Sequence, residues 1–143
     1  MNMRDSLSSI GYLTNLAGRL LVRALERRLS GKSAGPMPVF LALGDGKALP
    51  QKELARLAAV EQPTMANTLA RMERDGLVVG EPDPTDGRST LLHLTPTGHD
   101  RARQATMAAG AVNELALSAL DPEERGPFID MLKRIIATLE ADG

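Results

Sequence analysis

Between residues 6 and 29, Leu13, Leu16, Ala17, Leu20, Leu21, Ala24 and Leu25 recur at steps of three and four, which predicts one amphipathic helix. Asp5 or Ser6 is available to cap it, and at about 1.5 Å per residue it would span roughly 35 Å. A stripe of that length needs long partners to cover it. SGKSAGPMP ends the helix, because Gly31, Gly35, Pro36 and Pro38 disfavour continuation. MPVFLALG then reads as two apolar helical turns, with Pro38 in the first and Gly44 just past the last. Gly44-Asp45-Gly46 is a turn, too short and badly placed for a nucleotide loop.

The next stretch, PQKELARLAAVEQPTMANTLARMERDGLVV, changes rhythm. Leu54, Leu57 and Ala58 share one helical face, residues 59–61 make a tight connection, and Pro63 suits the first position of a second helix with Gln62 as its cap. Met65, Leu69 and Met72 give that second helix a core side. At 100° per residue, Thr64, Asn67, Arg71 and Arg74 gather on a different side, which is polar and basic. Asp75-Gly76 stops the helix. Leu77, Val78 and Val79 begin a strand, EPDPTDGRS is a turn-rich connection, and residues 90–94 form a second strand. The two strands pair as a hairpin with a long tip.

A further helix runs from Thr97 or Gly98 toward Leu120, with Ala105, Ala109, Val112 and Leu115 on one face. Asp121-Pro122-Glu123-Glu124 opens a last one, whose apolar side carries Phe128, Leu132, Ile135, Ile136 and Leu139. Gly126-Pro127 either kinks that helix or delays its start. The predicted fold is therefore mostly α with a small β-hairpin: a winged helix-turn-helix flanked by long N- and C-terminal helices. With 143 residues and 43% apolar content, one continuous folding unit is expected.

Composition narrows the chemistry. No cysteine is present, which removes disulfides, thiolate metal sites and thiol redox sensing. Aromatic residues make up 2% of the chain, too few to stack successive bases of a single strand. The net charge of −1 hides an asymmetry: residues 1–60 carry nine Lys/Arg against four Asp/Glu, and residues 61–143 carry eight against fourteen. His93 and His99, the latter beside Asp100, lack a convergent ligand set and read as strand and helix-surface residues, so no metal or cofactor is expected. The seven methionines read as core filler. No catalytic order of nucleophile and base and no phosphate loop appears, so an enzyme is not expected. No apolar run is long enough to span a membrane and the start is not signal-like, which predicts a cytoplasmic protein.

One pattern is more specific. Asp86-Gly87-Arg88, then five residues, then Leu94-Thr95-Pro96-Thr97-Gly98, all preceded by LARMERDGLVV, resembles the MarR family of bacterial transcriptional regulators. The likeness covers nearly the whole chain. It implies a winged DNA-binding lobe at residues 36–96 and a helical dimerisation lobe at residues 1–35 and 97–143. It also implies a homodimer whose two winged lobes bind one palindromic double-stranded operator. Residues 62–74 become the recognition helix, with Gln62, Thr64, Asn67 and Arg71 nearest DNA and Arg74 on the same basic side. Asp86 and Arg88 match the wing, where the Asp helps to position basic groups and the Arg enters the minor groove or meets phosphate. The chain departs from the family at Gly80-Glu81, where relatives commonly carry a basic residue, and its tip adds Asp83 and Asp86.

The implied function is a DNA-binding regulator, a repressor as many in the family are, released by a small anionic or aromatic effector or acting without one. Tyr12 is a candidate for lining an effector pocket between the first helix and the winged lobe. The acidic wing supports a rival: a winged-helix module that docks on another protein without sequence-specific DNA contact.

Overall fold

The computed structural model describes residues 1–143. The long first helix of the sequence reading is two helices, α1 (Met3–Leu7) and α2 (Ile10–Arg27). Ser9 takes an extended backbone and its hydroxyl accepts the Tyr12 N–H at 3.3 Å, while Asn2 caps α1 through the Asp5 N–H at 3.0 Å. The caps are thus Asn2 and Ser9, not Asp5 or Ser6. Short polar side chains compete for backbone donors, and here that competition breaks the helix within its predicted span. The 18 residues of α2 span about 27 Å.

The short helix α3 (Met37–Leu43) has Pro38 in its first turn and Gly44 at its end, as expected. Leu49–Pro50 forms a two-residue strand, β1, absent from the sequence reading because two residues carry no periodicity. α4 (Gln51–Ala58) and α5 (Gln62–Arg74) follow. Between them Ala59 sits in the left-handed region at φ 52°, and its N–H and that of Val60 close back on Arg56 and Ala55. Such backbone favours glycine, so Ala59 holds it at some cost. The face of α4 that packs on α3 and α5 is centred on Leu54 and Ala55; Leu57, expected inside, is 52% exposed. A two-turn helix buries only a narrow stripe.

α5 ends in a paired closure: the Leu77 N–H donates to the Met72 carbonyl at 2.8 Å and the Gly76 N–H to Glu73 at 3.0 Å, with Gly76 at φ 73°. β2 (Val78–Asp83) and β3 (Asp86–Leu94) then pair antiparallel from Val78↔Leu94 to Asp83↔Asp86, and β1 adds on the other side of β3 to give the order β1-β3-β2. The hairpin tip is therefore two residues, Pro84 and Thr85, and not a long loop. The strands run through residues read as turn-formers because a register shift at Pro82/Asp83 absorbs the proline.

Thr95 fastens this hairpin to the next helix, α6 (Pro96–Leu117). Its hydroxyl donates to the Gly76 carbonyl at 2.6 Å and accepts the Gly98 N–H at 3.0 Å. A Cβ on Gly98 would lie 2.0 Å from the Leu77 carbonyl oxygen, so only glycine fits there. Leu94-Thr95-Pro96-Thr97-Gly98 is thus a clasp tying the end of α5 to the start of α6. Val39, Leu43, Leu54, Met65, Leu69, Met72, Leu77 and Leu94 form the centre of a core to which Ala102 and Ala105 add from α6.

α7 (Pro122–Asp142) starts at Pro122, where Glu124 Oε1 accepts the Asp121 N–H at 2.9 Å. Gly126-Pro127 therefore does not delay it; Pro127 lies inside the helix and leaves the Glu123 carbonyl without its usual donor. The chain divides into two compact units, Met1–Ala109 and Gly110–Gly143. The second buries only Val112 fully, and α7 has no buried residue. No helix is long and apolar enough to cross a membrane.

Candidate nucleic-acid interface

Three buried side chains, Met65, Leu69 and Met72, fix the rotation of α5 against the core. Gln62, Thr64, Asn67, Arg71 and Arg74 are all exposed as a consequence. Glu61, not Gln62, is the N-cap residue, with an extended backbone and no side-chain hydrogen bond into the helix. Gln62 begins the helix instead, and its carbonyl accepts Gln51 Nε2 at 3.3 Å, which pins the first turn of α5 to α4. The Thr64 carbonyl accepts the Thr68 hydroxyl at 3.2 Å.

The basic residues of this helix are not equivalent. Arg74 Nε pairs with Asp75 Oδ1 at 3.2 Å, so its charge is partly balanced. Arg71 has no carboxylate within ion-pair distance, and the Asn67 amide has no hydrogen-bond partner in the chain. An amide offering both donor and acceptor, one turn from a free guanidinium, is the chemistry that reads base edges and phosphates in a major groove.

At the wing, Asp86 Oδ1 accepts the backbone N–H of Arg88 at 3.1 Å. That bond holds the strand start and leaves the Arg88 guanidinium outside any ion pair. Asp83 Oδ1 accepts both the Thr85 N–H at 2.9 Å and the Thr85 hydroxyl at 2.8 Å. Its pKa is lowered, first by the Thr85 N–H and then by the Thr85 hydroxyl. The acidic tip residues are thus engaged with backbone, which the sequence did not disclose. His93 Nδ1 lies 3.3 Å from Glu81 Oε1 without hydrogen-bond geometry.

A groove of about 420 Å³ separates the start of α4 from the wing, with Lys52 on one side, Arg88 and Thr90 on the other and Glu73 of α5 between. Lys52 escaped the sequence reading because a single lysine at a helix start has no distinguishing spacing. A second cavity of about 370 Å³ lies on another side of α5, against Thr68, Arg71, Met72 and Arg74. Tyr12, 46% exposed on α2, lines neither.

A family profile described as MarR family matches residues 36–89, the part holding α3 to the wing. Transcriptional regulator HosA of Escherichia coli O111:H- is 33% identical over 98 residues, covering 68% of this chain and 73% of that protein. The chain belongs to the MarR family. HTH-type transcriptional repressor NicR of Pseudomonas putida is 30% identical over 140 residues, 92% of this chain and 89% of NicR. The PcaV transcriptional regulator of Streptomyces coelicolor, solved in complex with its natural ligand, superposes with a TM-score of 0.79 at 25% identity, over 92% of this chain and 94% of that one. As a MarR family member the chain is a DNA-binding transcriptional regulator and not an enzyme.

Proposed function

We propose that the protein is a homodimeric repressor that reads a palindromic operator with α5 and grips its flanks with the wing. The observation that carries this reading is the exposed, unpartnered pair Asn67 and Arg71 on one side of α5, with an Arg88 free of ion pairs at the wing. A helix with its side chains matches the roughly 12 Å width of the major groove. Residues 36–96 are the DNA-binding lobe, and residues 1–35 and 97–143 the dimerisation lobe. Supporting the dimer, α2 exposes Leu13, Leu16, Leu20 and Leu21, and α7 exposes Phe128, Met131, Ile136 and Leu139. Apolar surface of that extent on a regulator is characteristic of an interface. Repression follows NicR, and release by a small molecule follows the ligand-bound PcaV.

Selection of bound duplexes from a random pool, followed by a salt titration on the winners, tests the reading. Affinity should fall steeply with salt as phosphate contacts release counterions, and Arg88→Ala should lower affinity for every sequence and reduce the salt slope by about 1. Asn67→Ala should relax preference at particular bases, with about 1–3 kcal/mol of discrimination lost. Salt-independent behaviour with no enriched palindrome would favour the protein-docking alternative.

A further inference from the structure

The groove of about 420 Å³ beside α5 lies within the unit Met1–Ala109 and is lined by the one acidic residue of α5, Glu73. Lys52 at the start of α4 and Arg88 of β3 line it too. All three are exposed, and none has an opposite charge within ion-pair distance. Nearby carboxylates differ in this: Asp75 pairs with Arg74, Asp83 accepts from Thr85, and Asp86 accepts the Arg88 N–H. Glu73 does not help its own helix either. It stands in the last turn of α5, where carbonyl groups concentrate negative charge and cations such as Arg71 and Arg74 are favoured. Leu69, Ala70, Gly76 and Leu77, three and four positions away, offer it no opposite charge. Glu73 therefore stabilises neither its helix nor an ion pair.

Its place beside DNA gives it a role. With α5 in the major groove and the wing at the adjoining minor groove, the sugar-phosphate strand dividing the two must cross the space that separates α5 from the wing. That space is this groove. Lys52 and Arg88 then attract the crossing phosphates, and Glu73 repels them. We infer that Glu73 is a fixed counter-charge that holds down affinity for duplex DNA of any sequence and leaves base preference to Asn67 and its neighbours on α5. The inference rests on the DNA-reading role proposed for α5 and deepens it. Phosphate attraction alone binds a regulator to the many non-operator sites of a genome. A carboxylate among the phosphate-binding cations weakens that attraction without loss of discrimination, because the phosphates are the same at every site.

Fluorescence anisotropy of the full chain with its selected palindrome and with a scrambled duplex of equal length, over a salt series, tests this. Glu73→Gln should tighten both complexes by the same factor, about three-fold for each subunit and so about ten-fold for a dimer, the scale of exposed charge interactions. The ratio of palindrome to scrambled affinity should keep its wild-type value. The salt dependence should steepen, because the repulsion removed is strongest at low salt. Glu73→Ala should match Glu73→Gln, since charge and not side-chain shape is at issue, and neither should lower the urea midpoint. Lys52→Ala should weaken both complexes alike and reduce the salt slope by about 1. Wild-type affinity in the Glu73 variants, or in Lys52→Ala, would place the phosphates elsewhere and overturn the inference. Weaker binding by the Glu73 variants, a lower urea midpoint in both, or a change for the palindrome alone would overturn it as well, by making Glu73 a support for the cations, a part of the fold, or a reader of bases. A wild-type chain that selects no palindrome and ignores salt would instead refute the role given to α5.

Discussion

The winged part of the chain and its long helices solve the same burial problem in opposite ways. Around α3, α4, α5 and the sheet, Val39, Leu43, Leu54 and Met72 are almost wholly removed from solvent by neighbours in the same chain. Leu20 on α2 and Ile136 on α7 show the same helical periodicity, yet they are 50% and 49% exposed. Periodicity marks which face of a helix wants cover. Only the structure tells whether one chain supplies it. The first region is self-sufficient, and the second leaves its apolar faces open, which the proposed dimer would cover with a second copy.

Placing charge on the uncovered faces is the most forceful way to break this contrast. Leu20→Glu combined with Ile136→Glu should convert the dimer to monomer in sedimentation equilibrium and lower operator affinity by about 100-fold or more, since two half-sites are then no longer linked. A dimer of wild-type strength in that variant would mean that these faces are not the interface. Leu54→Ala, in the self-sufficient region, should act differently: about 2–5 kcal/mol lost in urea unfolding, with the subunits still paired in the folded state. Gly98→Ala drives a methyl into the Leu77 carbonyl and should cost about 1–3 kcal/mol by the same assay, as other overpacked sites do.

The smallest effect concerns acid. Asp83 has its pKa depressed below the ordinary 3.8 by hydrogen bonds from Thr85. A depressed carboxyl stabilises the fold above its unfolded value, and that contribution disappears as pH falls through the folded one. The wing tip should therefore stay ordered near neutral pH and loosen only in strong acid. Amide chemical shifts of Thr85 and Asp86 across an acid titration would report it, and Asp83→Asn should remove the dependence. A tip that reorganised near neutral pH would place the responsible group elsewhere.

What was legible in the sequence follows the same division. Met65, Leu69 and Met72 announced both the core side of α5 and, by subtraction, the exposed side with Asn67 and Arg71, because a 13-residue helix carries enough turns to show its period. Gly76 announced its end. The motif Leu94-Thr95-Pro96-Thr97-Gly98 was visible as a pattern, but the reason for it, a carbonyl where a Cβ would sit, needs coordinates. The break at Ser9 was missed since apolar spacing continues across it, and β1 because its pairing with β3 is set by tertiary register. Leu57 misled because hydrophobicity alone does not say which side of a two-turn helix meets its neighbours. The groove beside α5 joins Lys52, Glu73 and Arg88, a convergence that no local window contains.

Hydroxyl-radical footprinting of a selected palindromic duplex bears most directly on the central claim, that paired chains present α5 to successive turns of DNA. Two equivalent protected half-sites with centres about 10 base pairs apart, each flanked by minor-groove protection that Arg88→Ala removes, is the predicted result. A single unpaired footprint, or protection that is indifferent to Asn67 and Arg88, would contradict the account.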